Sequence, residues 1–287
     1  MREIPPGGRA AGPAGMMPRR ILIAGLAIAL WVLLGVGLQL GVEAYLLAGV
    51  PLMIAFQYLV HRRPLRAAWV FGPHATAMDG RALALGLAAA ALPGARLASA
   101  LASDPEPSPG VVLWLLAATA GGLAAGVALR AQRADALRRA LPTMAITLMT
   151  FAFMFSLGAL VAHRGRLALP GLSAMGDLLA QALVYFDVSF VLEEVAFRGV
   201  LDPYILGGER GTNAAWASAI VGSALWGLWH IPVALAPGAA DLPTLLRLVL
   251  FHVGLGAMLC YVARMAGTLA PSAAVHGLAD AFRNAIS

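Results

Sequence analysis

The sequence predicts an all-α fold, a polytopic integral membrane bundle of eight or nine transmembrane helices. Three observations carry this reading. Of the 287 residues 60% are hydrophobic and only 12% charged, about half the charged share of an ordinary soluble domain, and the mean hydropathy is +0.81. The apolar residues fall in runs long enough to cross ~30 Å of hydrocarbon. The charges gather between those runs, and no polar stretch is long enough to build a soluble domain.

The elements follow in chain order. Residues 1–20 are rich in Gly, Pro and Arg and are expected to form a disordered basic tail. Uncharged or nearly uncharged runs then occupy 21–40, 44–60, 82–102, 111–129, 143–162, 176–200, 214–234, 244–263 and 268–285. The first is too long for a typical signal-peptide core and reads as a membrane helix. The weakest is 82–102, where Pro93 and Arg96 leave a tilted or re-entrant segment open. Gly122-x-x-x-Gly126 offers close helix approach in lipid, against the alternative of a merely alanine-rich composition. Residues 21–170 show nothing beyond membrane helices, whereas 171–287 carry every polar motif and read as the functional core.

All 20 basic residues are Arg, and the net charge is +6. They cluster in loops: Arg19 and Arg20 before the first run, Arg62, Arg63 and Arg66 after the second, Arg130 to Arg139 after the fourth. With nine crossings and a cytoplasmic N-terminus, every dense Arg cluster lies inside, as expected for a multi-pass protein of the plasma (inner) membrane. Arg164 and Arg166 fall on the other side. No soluble module offers a basic face, so nucleic acid is not the expected partner. The single Cys260 allows no internal disulfide and no cysteine metal site, and reads as packing. His61, His74 and His163 read as solvated loop residues, and Arg264 as loop-proximal.

Three polar clusters interrupt the apolar chain: Glu193-Glu194-x-x-x-Arg198, Trp226-x-x-x-His230 and His276-x-x-x-Asp280. An ionisable group at a bilayer centre costs roughly 2.5–3.5 kcal/mol on insertion scales, so such groups in three spans point to a shared functional centre. On an α-helix Glu194 and Arg198 form an i, i+4 pair that neutralises itself. Glu193 lies about 100° away and is left free to act as a general base or acid. The alternative is that the Glu pair marks a wet helix end. Trp226 and His230 share a face, and Pro232, with no N–H and a clash toward the carbonyl of Leu228, predicts a bend beside the imidazole. Alone, His230 reads as a packing or interface residue. His276, Asp280 and Asn284 form a stripe at i, i+4, i+8 in which Asp280 can orient the His276 ring. Tyr185 and Asp187 are candidates for support of the Glu pair, and Arg247 and His252 for snorkelling or local pairing.

With these motifs in this order, residues 176–285 resemble the CPBP family of intramembrane glutamic endopeptidases, which includes type II CAAX prenyl proteases and abortive-infection or bacteriocin-immunity proteins. The segments Phe251 to Gly254 and Thr268 to Pro271 also look family-like. The resemblance implies an intramembrane endopeptidase in which Glu193, assisted by His230, deprotonates a water that attacks the scissile carbonyl. It implies that His276 with Asp280 stabilises the oxyanion, and that Glu194, Arg198 and Trp226 support the site. It implies no metal cofactor. Zinc held by Glu193, His230 and His276 is the alternative on residue type alone. The implied partners are a peptide or membrane-protein substrate and membrane lipid. Two positions depart from the family's usual residues: Trp226 stands for Phe, a mild change, and Asp280 for the commoner Asn. Ionised Asp cannot donate to an oxyanion, so Asp280 is either protonated or an orienter of His276.

The competing functions are a non-catalytic immunity-type membrane protein and a proton-coupled transporter, since intramembrane Glu, Asp and His also build proton relays. The sequence has no internal repeat to favour transport. It also lacks His-Glu-x-x-His and Gly-x-Gly-Asp, signatures of other intramembrane proteases. One distance is awkward. At 1.5 Å per residue Glu193 lies ~26 Å along a helix starting at Gly176, and His230 ~24 Å along an opposed helix starting at Ala214. The two meet only if span six starts later or the helices tilt and extend.

Overall fold

The computed structural model describes residues 16–71, 78–162, 175–209, 211–235 and 241–286. Of the tail expected over 1–20, residues 1–15 lie outside the described residues, as do His74, His163, Arg164, Arg166 and the domain boundary near 170, whereas residues 16–20 are not a tail but the first turns of α1.

Within them the chain is a helical bundle: α1 (Met16–Gly37), α2 (Val42–Ala55), α3 (Gly80–Ser103), α4 (Pro109–Ala131), α5 (Ala134–Ala162), α6 (Met175–Ser189), α7 (Asp202–Leu206), α8 (Thr212–Trp229), α9 (Ile231–Leu235), α10 (Leu242–Ala266) and α11 (Ala270–Ile286). The all-α membrane fold stands. Among the described residues, eight helical stretches are long and apolar enough to cross a membrane, the shortest being Val42–Val60 and the longest Met175–Leu206. The ninth run is α11, whose 17 residues rise ~26 Å and are largely buried.

Helix starts follow local chemistry. Asp79 accepts the amide of Ala82 at 2.8 Å to cap α3, and Asp241 accepts that of Thr244 at 2.9 Å to cap α10. The amide of Ala82 holds the Asp79 carboxyl below the usual carboxylate range. The run 82–102 is one continuous helix despite Pro93. It packs along α4, because a Cβ at Gly122 would strike the backbone of Ala90 and one at Gly126 that of Ala82. Gly122-x-x-x-Gly126 is therefore a true contact seam, which matters because lipid removes the hydrophobic drive and leaves packing to associate helices. The expected Arg130–Arg139 loop shrinks to a hinge at residues 132 and 133, and α5 takes Arg138 and Arg139 into its first turns, where Asp135 pairs with Arg139 at 2.9 Å.

Two features place the functional half. From Phe190 to Leu201 the sixth helix is π-helical, flanked by α6 and α7, so 32 helical residues run unbroken from Met175 to Leu206. Then α10 ends at Gly267 in the left-handed conformation (φ +77°), which an L side chain rarely adopts, and the chain turns directly into α11. There Thr268 bridges back to Val70, and Gly277 brings α11 onto the backbone of Phe186 in α6.

Candidate active site

The three polar clusters meet. Glu193 Oε2 lies 3.8 Å from His230 Nε2 and 3.9 Å from His276 Nε2, and it accepts the indole N–H of Trp226 at 2.7 Å. Asp280 Oδ2 lies 3.6 Å from His276 Nε2, while its Oδ1 faces Arg283 Nη1 at 3.1 Å. The side chains come from the π-helical segment, the C-terminal end of α8 and the middle of α11. The awkward depth is resolved by extension. Span six starts no later than expected, but it continues thirteen residues beyond Glu193.

The π geometry explains why both carboxylates reach the cluster. Bonding i to i+5 puts more residues in each turn than the α-helix, so successive side chains diverge by less than 100°. Glu194 thus serves two partners through one oxygen. Its Oε1 lies 3.5 Å from Arg198 Nη1, the expected i, i+4 pair, and accepts His276 Nδ1–H at 3.0 Å. The Glu194 and Arg198 side chains are 0% and 1% exposed, whereas Glu193 and His230 keep 12% and 18%. The inner pair is sealed, and the outer Glu–His pair is the one a substrate could reach.

Trp226 is the hub. Arg198 places its guanidinium carbon 4.0 Å over the indole, a cation–π contact. The imidazoles of His230, His252 and His276 sit edge-on to the indole at 5.5, 4.3 and 5.3 Å. The change from Phe to Trp is therefore not mild: it adds the N–H that grips Glu193. His230 donates Nδ1–H to the carbonyl of Trp226 at 3.0 Å, leaving the Nε2 lone pair toward Glu193. The tautomer follows from that bond.

Several supporting residues fall elsewhere than expected. His252 does pair locally, donating to Leu248 O at 2.7 Å, but it does not snorkel. Its ring is buried 4.1 Å from that of His230, and only its place in Phe251 to Gly254 hinted at this. Arg264 is loop-proximal as expected, in the last turn of α10, and its side chain points inward: it pairs with Asp202 through Nε (3.1 Å) and Nη2 (2.5 Å), tying α10 to α7, and it holds Ser218 of α8. Asp187 is fully buried, with neither carboxylate oxygen hydrogen-bonded among the described residues. Tyr185 accepts from Asn284 at 2.6 Å, at the rim. His61 is not freely solvated, since it pairs with Gln57 at 3.0 Å. Cys260 is buried packing, as expected. A small apolar crevice, lined in part by Met53, Trp69, Val191 and Val195, borders the π-helical segment but holds none of these polar groups. Among the described residues, no group of three or more His, Cys, Asp or Glu is arranged to hold a metal ion.

Fold and site together define a polytopic helical membrane protein with a carboxylate–histidine cluster between its helices. Residues 175–282, from the start of α6 into α11, match the family model described as type II CAAX prenyl endopeptidase Rce1-like. No curated protein and no solved structure matches the chain. The chain thus carries an Rce1-like domain over 175–282, consistent with the CPBP resemblance, and that family is one of proteases acting on peptide substrates.

Proposed function

We propose that the protein is an intramembrane endopeptidase that hydrolyses a peptide bond with water activated by Glu193 and His230. The observation that carries this reading is the approach of His230 Nε2 and His276 Nε2 to one carboxylate oxygen of Glu193, each within 3.9 Å. A water between Glu193 and His230 gives its proton to the Glu193 carboxylate while its oxygen attacks the scissile carbonyl carbon. His276, with Glu194 on Nδ1 and Asp280 beside Nε2, is held as a donor to the developing oxyanion. Collapse breaks the C–N bond, and the proton on Glu193 passes to the leaving amine. Asp280 sets one oxygen beside the His276 ring and the other on the Arg283 guanidinium, which supports the orienting role over an oxyanion donor. The mechanism is metal-free.

On this reading the protein lies in the plasma (inner) membrane with its N-terminus cytoplasmic, the orientation that the Arg clusters at Arg19–Arg20, Arg62–Arg66 and Arg130–Arg139 support. The substrate is a peptide or membrane protein. A prenylated CAAX peptide is one candidate, and no side chain of the cluster reads a prenyl group.

The test is cleavage of quenched-fluorescent peptides, farnesylated and unmodified, by protein in proteoliposomes. The wild type is expected to cleave at least one, and Glu193→Gln to lose at least ~10³-fold while keeping its unfolding midpoint. Undiminished cleavage by Glu193→Gln would sink the reading. An immunity-type protein or a transporter would instead keep its phenotype in that variant or move protons without cleaving.

A further inference from the structure

We propose that Tyr45 of α2 is a positioning residue for His230, and that α1 and α2 reach the site to deliver its hydroxyl. The inference rests on the protease reading. Tyr45 is 1% exposed, and its Oη donates to the carbonyl of Trp229 at 2.6 Å, across 184 residues of sequence. That carbonyl belongs to the residue before His230, where α8 stops and α9 begins. The helix is weakest there. Pro232 offers no N–H to the carbonyl of Leu228, and the amide of His230 tightens onto Gly227 O at 3.2 Å. The imidazole is anchored to the carbonyl of Trp226 one turn back. Its backbone, however, sits on the break. Tyr45 fixes the break from outside the helix.

The donor is itself held. Trp31 of α1 gives its indole N–H to Tyr45 O at 2.9 Å. The Trp31 ring lies 4.9 Å from Trp229 and stacks 6.5 Å from Phe197, the residue before Arg198 on the π-helical segment. Tyr45 stacks 5.8 Å from Trp229. A Cβ at Gly49 would sit inside the Trp31 ring, and one at Gly35 against Tyr45, so both glycines make room for the aromatic block. One block therefore touches the acid-bearing helix and the histidine-bearing helix from behind. Its only polar contact with the latter is the Tyr45 hydroxyl among the described bonds.

Ring packing and the hydroxyl are separable. Tyr45→Phe keeps the ring and removes the donor. It is expected to lower kcat about 10-fold, the scale of one lost hydrogen bond, with KM unchanged and the unfolding midpoint within a few degrees. Tyr45→4-aminophenylalanine restores a donor and is expected to recover most of kcat. Tyr58→Phe, on an exposed tyrosine of the same stretch, is expected to change nothing. Wild-type kcat in Tyr45→Phe overturns the proposal, as does a raised KM with kcat intact. If Tyr45→Phe does not fold, equal kcat in the 4-amino and 4-methoxyphenylalanine variants overturns it instead. Glu193→Gln run in parallel separates the two failures. An active Glu193→Gln sinks the protease reading. An inactive one beside a fully active Tyr45→Phe sinks only the role of Tyr45.

Discussion

The two halves of the bundle solve the membrane problem in opposite ways. From α1 to α5 the contacts are apolar and aromatic, and the outer faces carry large exposed hydrophobics such as Leu33 at 67% and Phe153 at 64%. Their charged pairs sit at the ends of the helices, as with Asp79–Arg130 and Asp135–Arg139. From α6 to α11 polar groups move inside, and apart from Asp187 the charged ones at the centre are tied to one another or to Trp226: Glu194 to Arg198 and His276, Asp202 to Arg264, Glu193 to Trp226. The first half is held by packing and the second by a polar network that packing surrounds. Loss of a contact in the first should cost stability alone, while loss at the Glu193–Trp226 and Glu–His contacts of the second should cost activity at nearly constant stability, with the Tyr45 block as the proposed point of contact between them.

Glu193→Gln is the largest expected effect, and it should act on turnover only. The next sharpens the comparison by asking whether every buried pair in the second half is functional. Arg264 and Asp202 join α10 to α7 and lie away from the Glu–His contacts. Arg264→Met leaves Asp202 buried without its cation, and removal of one partner of a buried pair costs about 3 kcal/mol or more. Thermal unfolding in detergent should show a clear drop, with the kcat of the surviving folded protein unchanged. A loss of kcat at full stability would place this pair in the chemistry.

Trp226→Phe is expected to act on activity alone. The ring and its contacts with Arg198 and three histidines remain, but the N–H at 2.7 Å from Glu193 is lost. A hydrogen bond to a charged group contributes about 1.5–3 kcal/mol, so kcat should fall roughly 10- to 100-fold in steady-state cleavage. An unchanged kcat would reduce the indole to a spacer. Asp280→Asn should do less. Asn keeps an oxygen that can orient His276 and loses only the charge, so kcat should fall within ~10-fold, whereas Asp280→Ala should fall further. If the two variants are equally impaired, the orienting oxygen is not what Asp280 supplies.

How far this was legible in the sequence differs between the halves for a physical reason. Spans show through apolar run length, and the three motifs show because charge in an apolar run is conspicuous. Tyr45 and Trp31 were silent, since an aromatic in an apolar run looks like lipid-facing packing until its partner is known. His252 and Arg264 were visible as residues but not as contacts, because their partners Trp226 and Asp202 lie tens of residues away. The π-helical segment was illegible. Phe190–Leu201 has the composition of an α-helix, and only the i to i+5 bonding reveals why Glu193 and Glu194 share a cluster. The α-helical pairing of Glu194 with Arg198 was right even so, because four residues still span nearly one turn.

The smallest expected effect concerns the rim between the halves. His61 follows the second span, pairs with Gln57, and meets the ring of Tyr204 on α7 at 5.5 Å. Burial, then Arg63 and Arg20, push its pKa from 6.5 down to about 4. Between those two values the unfolded chain binds the proton and the folded one does not, so stability rises with pH across that window. The contribution is complete above pH 6.5 and is lost as the pH falls toward 4. His61 is partly exposed, and solvent screening limits the effect to about 1 kcal/mol. Unfolding midpoints of wild type and His61→Gln, measured from pH 7 to pH 4, isolate it from every other titrating group. The wild type should lose a few degrees more than the variant on acidification, while cleavage at pH 7 should be the same in both. A steeper loss in the variant would mean that the protonated ring has a partner in the folded protein, and that the rim is held by charge rather than by burial.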